Sequence, residues 1–110
     1  MEKILIVDDN ETLRFTLTEL LEDSGFECKA VEDGSAALDE VKKSSYGLVI
    51  LDMRLPGMSG LEILRKIKEN NKSLPVIMLT AFGEIRTAVE AMKQGAHDFI
   101  TKPFDNDAMI

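Results

Sequence analysis

Apolar and polar positions along the chain fall into a repeating alternation of two periods. Three short runs are continuously apolar and rich in branched residues: Ile4-Leu5-Ile6-Val7, Leu48-Val49-Ile50-Leu51 and Val76-Ile77-Met78-Leu79. A strand wetted on one face would alternate, so unbroken runs of this length predict central strands of a parallel sheet, covered on both faces. Phe26-Glu27-Cys28-Lys29-Ala30-Val31 does alternate. With Glu27 and Lys29 outward and Phe26, Cys28 and Ala30 inward, it predicts an edge strand. Asp98-Phe99-Ile100 is a fifth, weaker strand.

Between these runs the spacing becomes helical. Leu13, Leu17, Leu20 and Leu21 share a stripe that ends before Gly25, a residue suited to a left-handed helix cap. A second helix follows Asp33, with Ala37, Leu38 and Val41 on its apolar side. A third opens at Ser59, where Ser59 and Glu62 make a capping-box pattern ahead of Leu61, Leu64 and Ile67. Ile85, Ala88, Val89 and Met92 mark a fourth, stopped at Gly95. The order βαβαβαβαβ with short connections predicts one α/β unit over residues 1–110, an open parallel sheet with helices on both faces. Asp105 or Asn106 looks like another helix cap, and only Asp107-Ala108-Met109-Ile110 follow the pair, so the closing helix is expected to be incomplete.

Composition narrows the function. The chain has 110 residues, 45% of them hydrophobic and 30% charged, as in ordinary folded domains. Its net charge of −7 argues against a nonspecific nucleic-acid binder, which needs a basic stripe to neutralise phosphates, and a cation or a basic protein is the better partner. The single Cys28 cannot form an internal disulfide and reads as a small apolar strand residue, which together with the absence of a leader or a membrane span points to the cytoplasm. Lys66, Lys68 and Lys72 read as a solvated helix face, and His97 as a solvent-facing residue at a helix end.

Chemistry enters where the apolar runs stop. Val7 leads into Asp8-Asp9, Leu51 into Asp52, Leu79 into Thr80, and the fifth strand into Thr101-Lys102. In an open α/β sheet the crevice for ligands lies beyond the carboxyl ends of the strands, so these side chains are expected on one rim. Each alone is an ordinary turn or cap residue at a strand end. Together they set a chemical demand, because carboxylates brought close resist ionising side by side and a divalent cation relieves them. An all-oxygen donor set suits Mg²⁺. A carboxylate can also attack a phosphoryl group, and Asp52, the lone acid at the end of a central strand, is the candidate nucleophile. The Asp8-Asp9 pair would hold metal, while Thr80 and Lys102 would donate to phosphoryl oxygens.

These segments resemble the receiver domain of bacterial two-component response regulators. Ile4 to Asp9 is similar to that family's first strand and acidic pair, Leu48 through Gly60 to its phosphoacceptor strand and Pro/Gly loop, Leu79-Thr80-Ala81 to its switch strand, and Lys102-Pro103-Phe104 to its closing Lys-Pro. The resemblance implies a flavodoxin-like sheet in the order 2-1-3-4-5. It also implies that Asp52 accepts a phosphoryl group from a histidine kinase. Asp9 and Asp52 would bind Mg²⁺ directly, Asp8 would act through water, and the backbone carbonyl of Arg54 would complete the ligands. Thr80 would move toward the phosphoryl group, coupled to an inward swing of Phe99 that reshapes the surface of the fourth helix and fifth strand. Phe99 has no hydroxyl, so packing must drive that swing. Leu55 stands where the family often has Met, and Lys102-Pro103 resembles its cis bond. Arg54 and Phe82 flank the pocket, where they would shield Asp52, and Ala81 leaves room for entry. The stretch from Thr80 to Phe104 is similar to receivers of sigma-54-dependent activators, which implies an ATPase and DNA-binding output beyond this chain and allows a homodimer. Two other readings stay open: a receiver-like interaction module that is never phosphorylated, and an aspartyl-phosphate phosphohydrolase, whose usual Asp-x-Asp is missing because Met53-Arg54 follow Asp52.

Overall fold

The computed structural model describes residues 3–55, 57–81 and 85–102, without the side chains of Ala81, Ile85 and Lys102. Expectations resting on Pro56, Phe82, the Lys102-Pro103 bond and the closing helix lie outside the described residues. Five strands alternate with four helices: β1 (Lys3–Val7), α1 (Glu11–Asp23), β2 (Glu27–Val31), α2 (Gly34–Lys43), β3 (Leu48–Asp52), α3 (Gly60–Asn70), β4 (Val76–Ala81), α4 (Ile85–Lys93) and β5 (Asp98–Lys102). The strands form one parallel sheet in the order β2-β1-β3-β4-β5. This is the expected architecture, and three strands run slightly further than their apolar runs. Asp52, Thr80 and Lys102 therefore belong to the strands, held by the sheet ladder.

Alternation along the central strands divides the core in two. Ile4, Ile6, Ile50 and Leu79 pack with Leu17 and Leu21 of α1 on one face. Leu5, Val7, Val49, Leu51, Val76 and Met78 meet Ala37 of α2, Ile63, Leu64 and Ile67 of α3 and Ala91 of α4 on the other. Unbroken apolar runs are what a two-faced core requires. At the sheet edge, Cys28 and Ala30 are half-buried against the α1 side while Glu27 and Lys29 are exposed. Burial pushes the Cys28 thiol above its ordinary pKa, in keeping with an apolar role.

Side chains and backbone cap the helices as the local patterns predict. Asp33 accepts from the Ala36 amide at 2.8 Å, and Ser59 from the Glu62 amide at 3.2 Å. Gly25 and Gly95 take positive φ of 101° and 109°. Around each, two amides turn back onto the last helical carbonyls: Phe26 to Leu21 and Gly25 to Glu22, Ala96 to Ala91 and Gly95 to Met92. These are paired Schellman bonds, which a glycine permits at no steric cost.

Three expectations need correction. Phe26 lies outside β2 and is 37% exposed, because the chain is still turning out of the α1 cap there. On α4 the buried positions are Ala88 and Ala91, whereas Val89 and Met92 are 46% and 38% exposed. Alanines let this helix sit close to its neighbours, and the face centred on them turns the larger residues outward. Lys68 is not a solvated charge: it is half-buried, and its Nζ donates to the carbonyls of Leu74 at 2.6 Å and Lys72 at 3.4 Å. Burial lowers its pKa, and its role is to tie the α3–β4 connection to the helix. His97 is exposed, as expected.

Candidate functional site

The sheet order reverses direction between β1 and β3: β2 lies to one side of β1, and β3, β4 and β5 follow on the other. Such a switch point opens a crevice at the carboxyl ends of the strands. Val7 is level with Leu51 there, so Asp8 and Asp52 emerge side by side from adjacent strands. Asp8 and Asp52 are buried, Asp9 is exposed, and one carboxylate oxygen from each lies within 4.8 Å of the others. The acid cluster is the arrangement expected from the strand ends.

Each member is held by the local chain. The Asp8 amide donates to the Val31 carbonyl at 3.2 Å, extending the β1–β2 ladder by one bond. Asp8 Oδ1 accepts from the Asn10 amide at 2.9 Å, and Asn10 Oδ1 in turn caps α1 through the Leu13 amide at 3.0 Å. From the second turn of α1, Arg14 Nη1 donates to the Asp8 carbonyl at 2.8 Å. On the neighbouring strand, the Arg54 amide donates to Asp52 Oδ1 at 3.3 Å and the Met53 amide to the Leu79 carbonyl at 2.9 Å. Gly60, the first residue of α3, donates to the Met53 carbonyl at 2.9 Å, and a Cβ placed there would fall 2.7 Å from the Asp52 carbonyl oxygen. Only a glycine lets α3 begin so close to the strand that carries Asp52. Gly57, at φ +83°, supplies the turn between them.

The remaining predicted residues take their places on β4 and β5. Thr80 is fully buried in β4, level with Thr101. Phe99, level with Met78, packs half-buried against the core shared with α3 and α4. Strand alternation puts Thr80, Met78, Phe99 and Thr101 on that same face, so Thr80 and Phe99 are diagonal neighbours on adjacent strands. The backbone of Lys102 ends β5 level with Ala81, at the same rim. Arg54 is exposed beside Asp52.

The donor set fits a hard divalent cation. All three candidate ligands are carboxylate oxygens, close enough to share one small ion, and a zinc-type site would call for His or Cys instead. Asn10, Arg14 and Gly60 adjoin the acid cluster, and reading the sequence gave them no role there. Asn10 had a signal, since it precedes a helical stripe directly, but the Arg14 bond joins a side chain to a backbone carbonyl and leaves no pattern in spacing.

A second polar cluster lies at the opposite ends of the strands. Tyr46 donates its hydroxyl to Glu40 Oε1 at 2.5 Å, Lys43 pairs with Glu40 at 3.2 Å, and Lys3 lies 5.1 Å from the Tyr46 ring centre. Donation from Tyr46 and then from Lys43 holds the Glu40 carboxyl below the usual carboxylate range. Burial, and then the Glu40 carboxylate, push the Tyr46 phenol above its ordinary value. An open cavity of about 260 Å³ between Lys42, Tyr46, Asn71 and Leu74 adjoins it, and holds none of the acid cluster.

Comparison with known proteins agrees with this geometry. The response regulator receiver domain profile matches residues 4–110. The transcriptional regulatory protein FixJ of Bradyrhizobium diazoefficiens is 39% identical over 106 residues, 96% of this chain and 52% of that protein. The DNA-binding transcriptional regulator NtrC of Klebsiella pneumoniae is 39% identical over 96% of this chain and 22% of its own length. Sporulation initiation phosphotransferase F of Bacillus subtilis is 42% identical over 96% of this chain and 86% of its length. Among solved structures, the receiver domain of NtrX from Brucella abortus superposes with a TM-score of 0.91 at 40% identity, covering 94% of this chain and 88% of that one. The chain thus spans about half of FixJ and about a fifth of NtrC. No helix among the described residues is long and apolar enough to cross a membrane.

Proposed function

This chain belongs to the response regulator receiver domain family, and on that premise we propose that it is a phosphorylation switch whose acceptor is Asp52. The observation that carries the proposal is the meeting of Asp8, Asp9 and Asp52, with oxygens within 4.8 Å, at the switch point of the sheet. A carboxylate oxygen of Asp52 attacks the phosphorus of a phosphohistidine on a kinase, or of a small acyl phosphate. The P–N or P–O bond breaks, and the electron pair leaves with the donor, which takes up a proton from solvent where its basicity requires one. Asp9 and Asp52 would hold Mg²⁺ directly, with Asp8 through water and the Arg54 backbone carbonyl as a further oxygen. That ion supplies positive charge to offset the phosphoryl oxygens.

Lys102, whose backbone reaches the same rim, would contact the phosphoryl group, and Thr80 would donate its hydroxyl to it. Drawing Thr80 toward Asp52 vacates space on the face it shares with Phe99, and a half-buried ring can move into such space by packing alone. The exposed faces of α4 and β5 would change shape in consequence, and a homodimer or an output domain would read the change. Similarity to the DNA-binding transcriptional regulator NtrC supports a DNA-binding transcriptional output, and the resemblance to sigma-54-dependent activators adds an ATPase to it. The chemistry assigned to this chain is confined to its own phosphorylation and dephosphorylation.

Intact-protein mass after incubation with acetyl phosphate tests the reading, with and without Mg²⁺ and alongside Asp52→Asn, each protein first shown to be folded by circular dichroism. One Mg²⁺-dependent, hydroxylamine-labile adduct that is lost in the variant is expected. A folded wild-type protein that takes up no phosphoryl group, or an adduct that survives Asp52→Asn, refutes it.

A further inference from the structure

The acid cluster is built from two kinds of backbone. Asp52 is the last residue of β3 and Asp8 continues the β1–β2 ladder by its bond to Val31, so both are seated in the sheet. Asp9 is different. It lies past the end of β1 in a bend, it is exposed, and its position depends on the orientation of the peptide that joins it to Asp8. The carbonyl of that peptide is the group that accepts from Arg14 Nη1 at 2.8 Å. The amide of the following residue, Asn10, is held by Asp8 Oδ1 at 2.9 Å, and the Asn10 carbonyl accepts from the Arg14 amide at 3.0 Å. Arg14 therefore grips the bend from both ends, by its guanidinium on one carbonyl and its own backbone on another.

We infer that Arg14 is a positioning residue for the cation site: by fixing the plane of the Asp8–Asp9 peptide it holds the Asp9 carboxylate against those of Asp8 and Asp52. The inference rests on the divalent-cation reading above. A guanidinium suits the task because its planar donors hold direction as well as distance, and the residue is half-buried. Partners that orient metal ligands without touching the metal are commonly worth about 10- to 100-fold in affinity. The charge of Arg14 acts in the opposite sense, because a cation near the cluster opposes the entry of a second one. The two roles thus predict opposite signs.

The test is Mg²⁺ affinity, measured by isothermal titration calorimetry on wild type, Arg14→Met and Arg14→Lys. Met keeps the apolar stem and the backbone bond to Asn10 but removes every side-chain donor, while Lys keeps the charge and one flexible donor group. Positioning predicts an affinity for Arg14→Met about 10-fold weaker than wild type, with Arg14→Lys between them, and amide NMR shifts in the metal-free variants that concentrate on residues 8–10. Affinity equal to or tighter than wild type in Arg14→Met overturns the inference. Should Arg14→Met fail to fold, undiminished affinity in Arg14→Lys overturns it equally. A wild-type protein that binds no Mg²⁺ refutes the cation reading itself, an outcome distinct from either.

Discussion

Replacing Gly60 by alanine should destabilise the protein, although the usual rule for glycine in a helix has the opposite sign. Glycine at a helical position costs roughly 0.5–1 kcal/mol relative to alanine, and Gly60 opens α3 without a positive φ. The new Cβ, however, would lie 2.7 Å from both the Asp52 carbonyl oxygen and the Met53 Cα, and 2.9 Å from the Met53 carbonyl oxygen. Ordinary contact begins at 3.4 Å, so strand end and helix start must separate by as much as 0.7 Å. Every obstructing atom is backbone and none can rotate away. Overpacking of this kind costs about 1–3 kcal/mol, and set against the propensity gain it leaves a net loss of up to about 2.5 kcal/mol. The displaced segment carries Asp52, and misplacement approaching 1 Å can slow a positioned reaction by about 100-fold, so phosphorylation by acetyl phosphate should slow by at least about 10-fold. Gly34 is the control. Its added Cβ would meet the buried Ile63 side chain, Cδ1 at 2.7 Å and Cγ1 at 2.8 Å, and no backbone, so Gly34→Ala should cost stability without displacing the strand that carries Asp52. Equilibrium urea unfolding and the initial rate of mass gain measure the two effects. A Gly60→Ala protein with an unfolding midpoint at or above wild type and an unchanged rate would refute the steric argument.

Other expectations follow from the two polar clusters. Mg²⁺ should raise the thermal midpoint, with about 2.7 kcal/mol gained at a concentration 100 times Kd, and a midpoint indifferent to Mg²⁺ would count against the site. Tyr46 is the sole tyrosine, so ultraviolet absorbance titrates it alone: its phenol should ionise above its ordinary value of 10.0, and earlier in Glu40→Gln. Because its folded pKa is the raised one, the stability it contributes is complete below the unfolded value and is lost as pH rises beyond it. A tyrosinate midpoint at the ordinary value would refute this. Glu40 runs the other way. Its folded pKa is lowered, so its contribution is present above the ordinary carboxylate value of 4.5 and is lost as pH falls below it. Tyr46→Phe should flatten that acid limb in urea unfolding between neutral and acid pH, and an unaltered limb would contradict the assignment.

The sheet and its rim are legible in the chain's pattern of apolar residues. Ile4–Val7, Leu48–Leu51 and Val76–Leu79 are apolar on every residue, a pattern that only strands covered on both faces can bury. Strands so placed in a parallel sheet end in polar residues at a common edge, which is why Asp8, Asp9, Asp52, Thr80 and Lys102 read as one crevice from the sequence. Caps at Asp33, Ser59, Gly25 and Gly95 were equally legible, because capping is an interaction among residues a few positions apart.

Tertiary structure alone decided the rest, and the reason is distance along the chain. A helix's spacing shows that it has an apolar stripe but not how far it is rotated about its axis. On α4 that rotation buries Ala88 and Ala91 and exposes Val89 and Met92, because close approach to the sheet favours the smaller side chains. Lys68 left the solvent for the Leu74 carbonyl because a particular loop passes within its reach. Arg14 and Gly60, both beside the acid cluster, meet backbone atoms of other elements, a carbonyl that accepts a bond and a strand end that leaves no room for a Cβ. Backbone atoms are the same at every position, so no arrangement of letters marks which of them will be approached, and only the folded chain shows it.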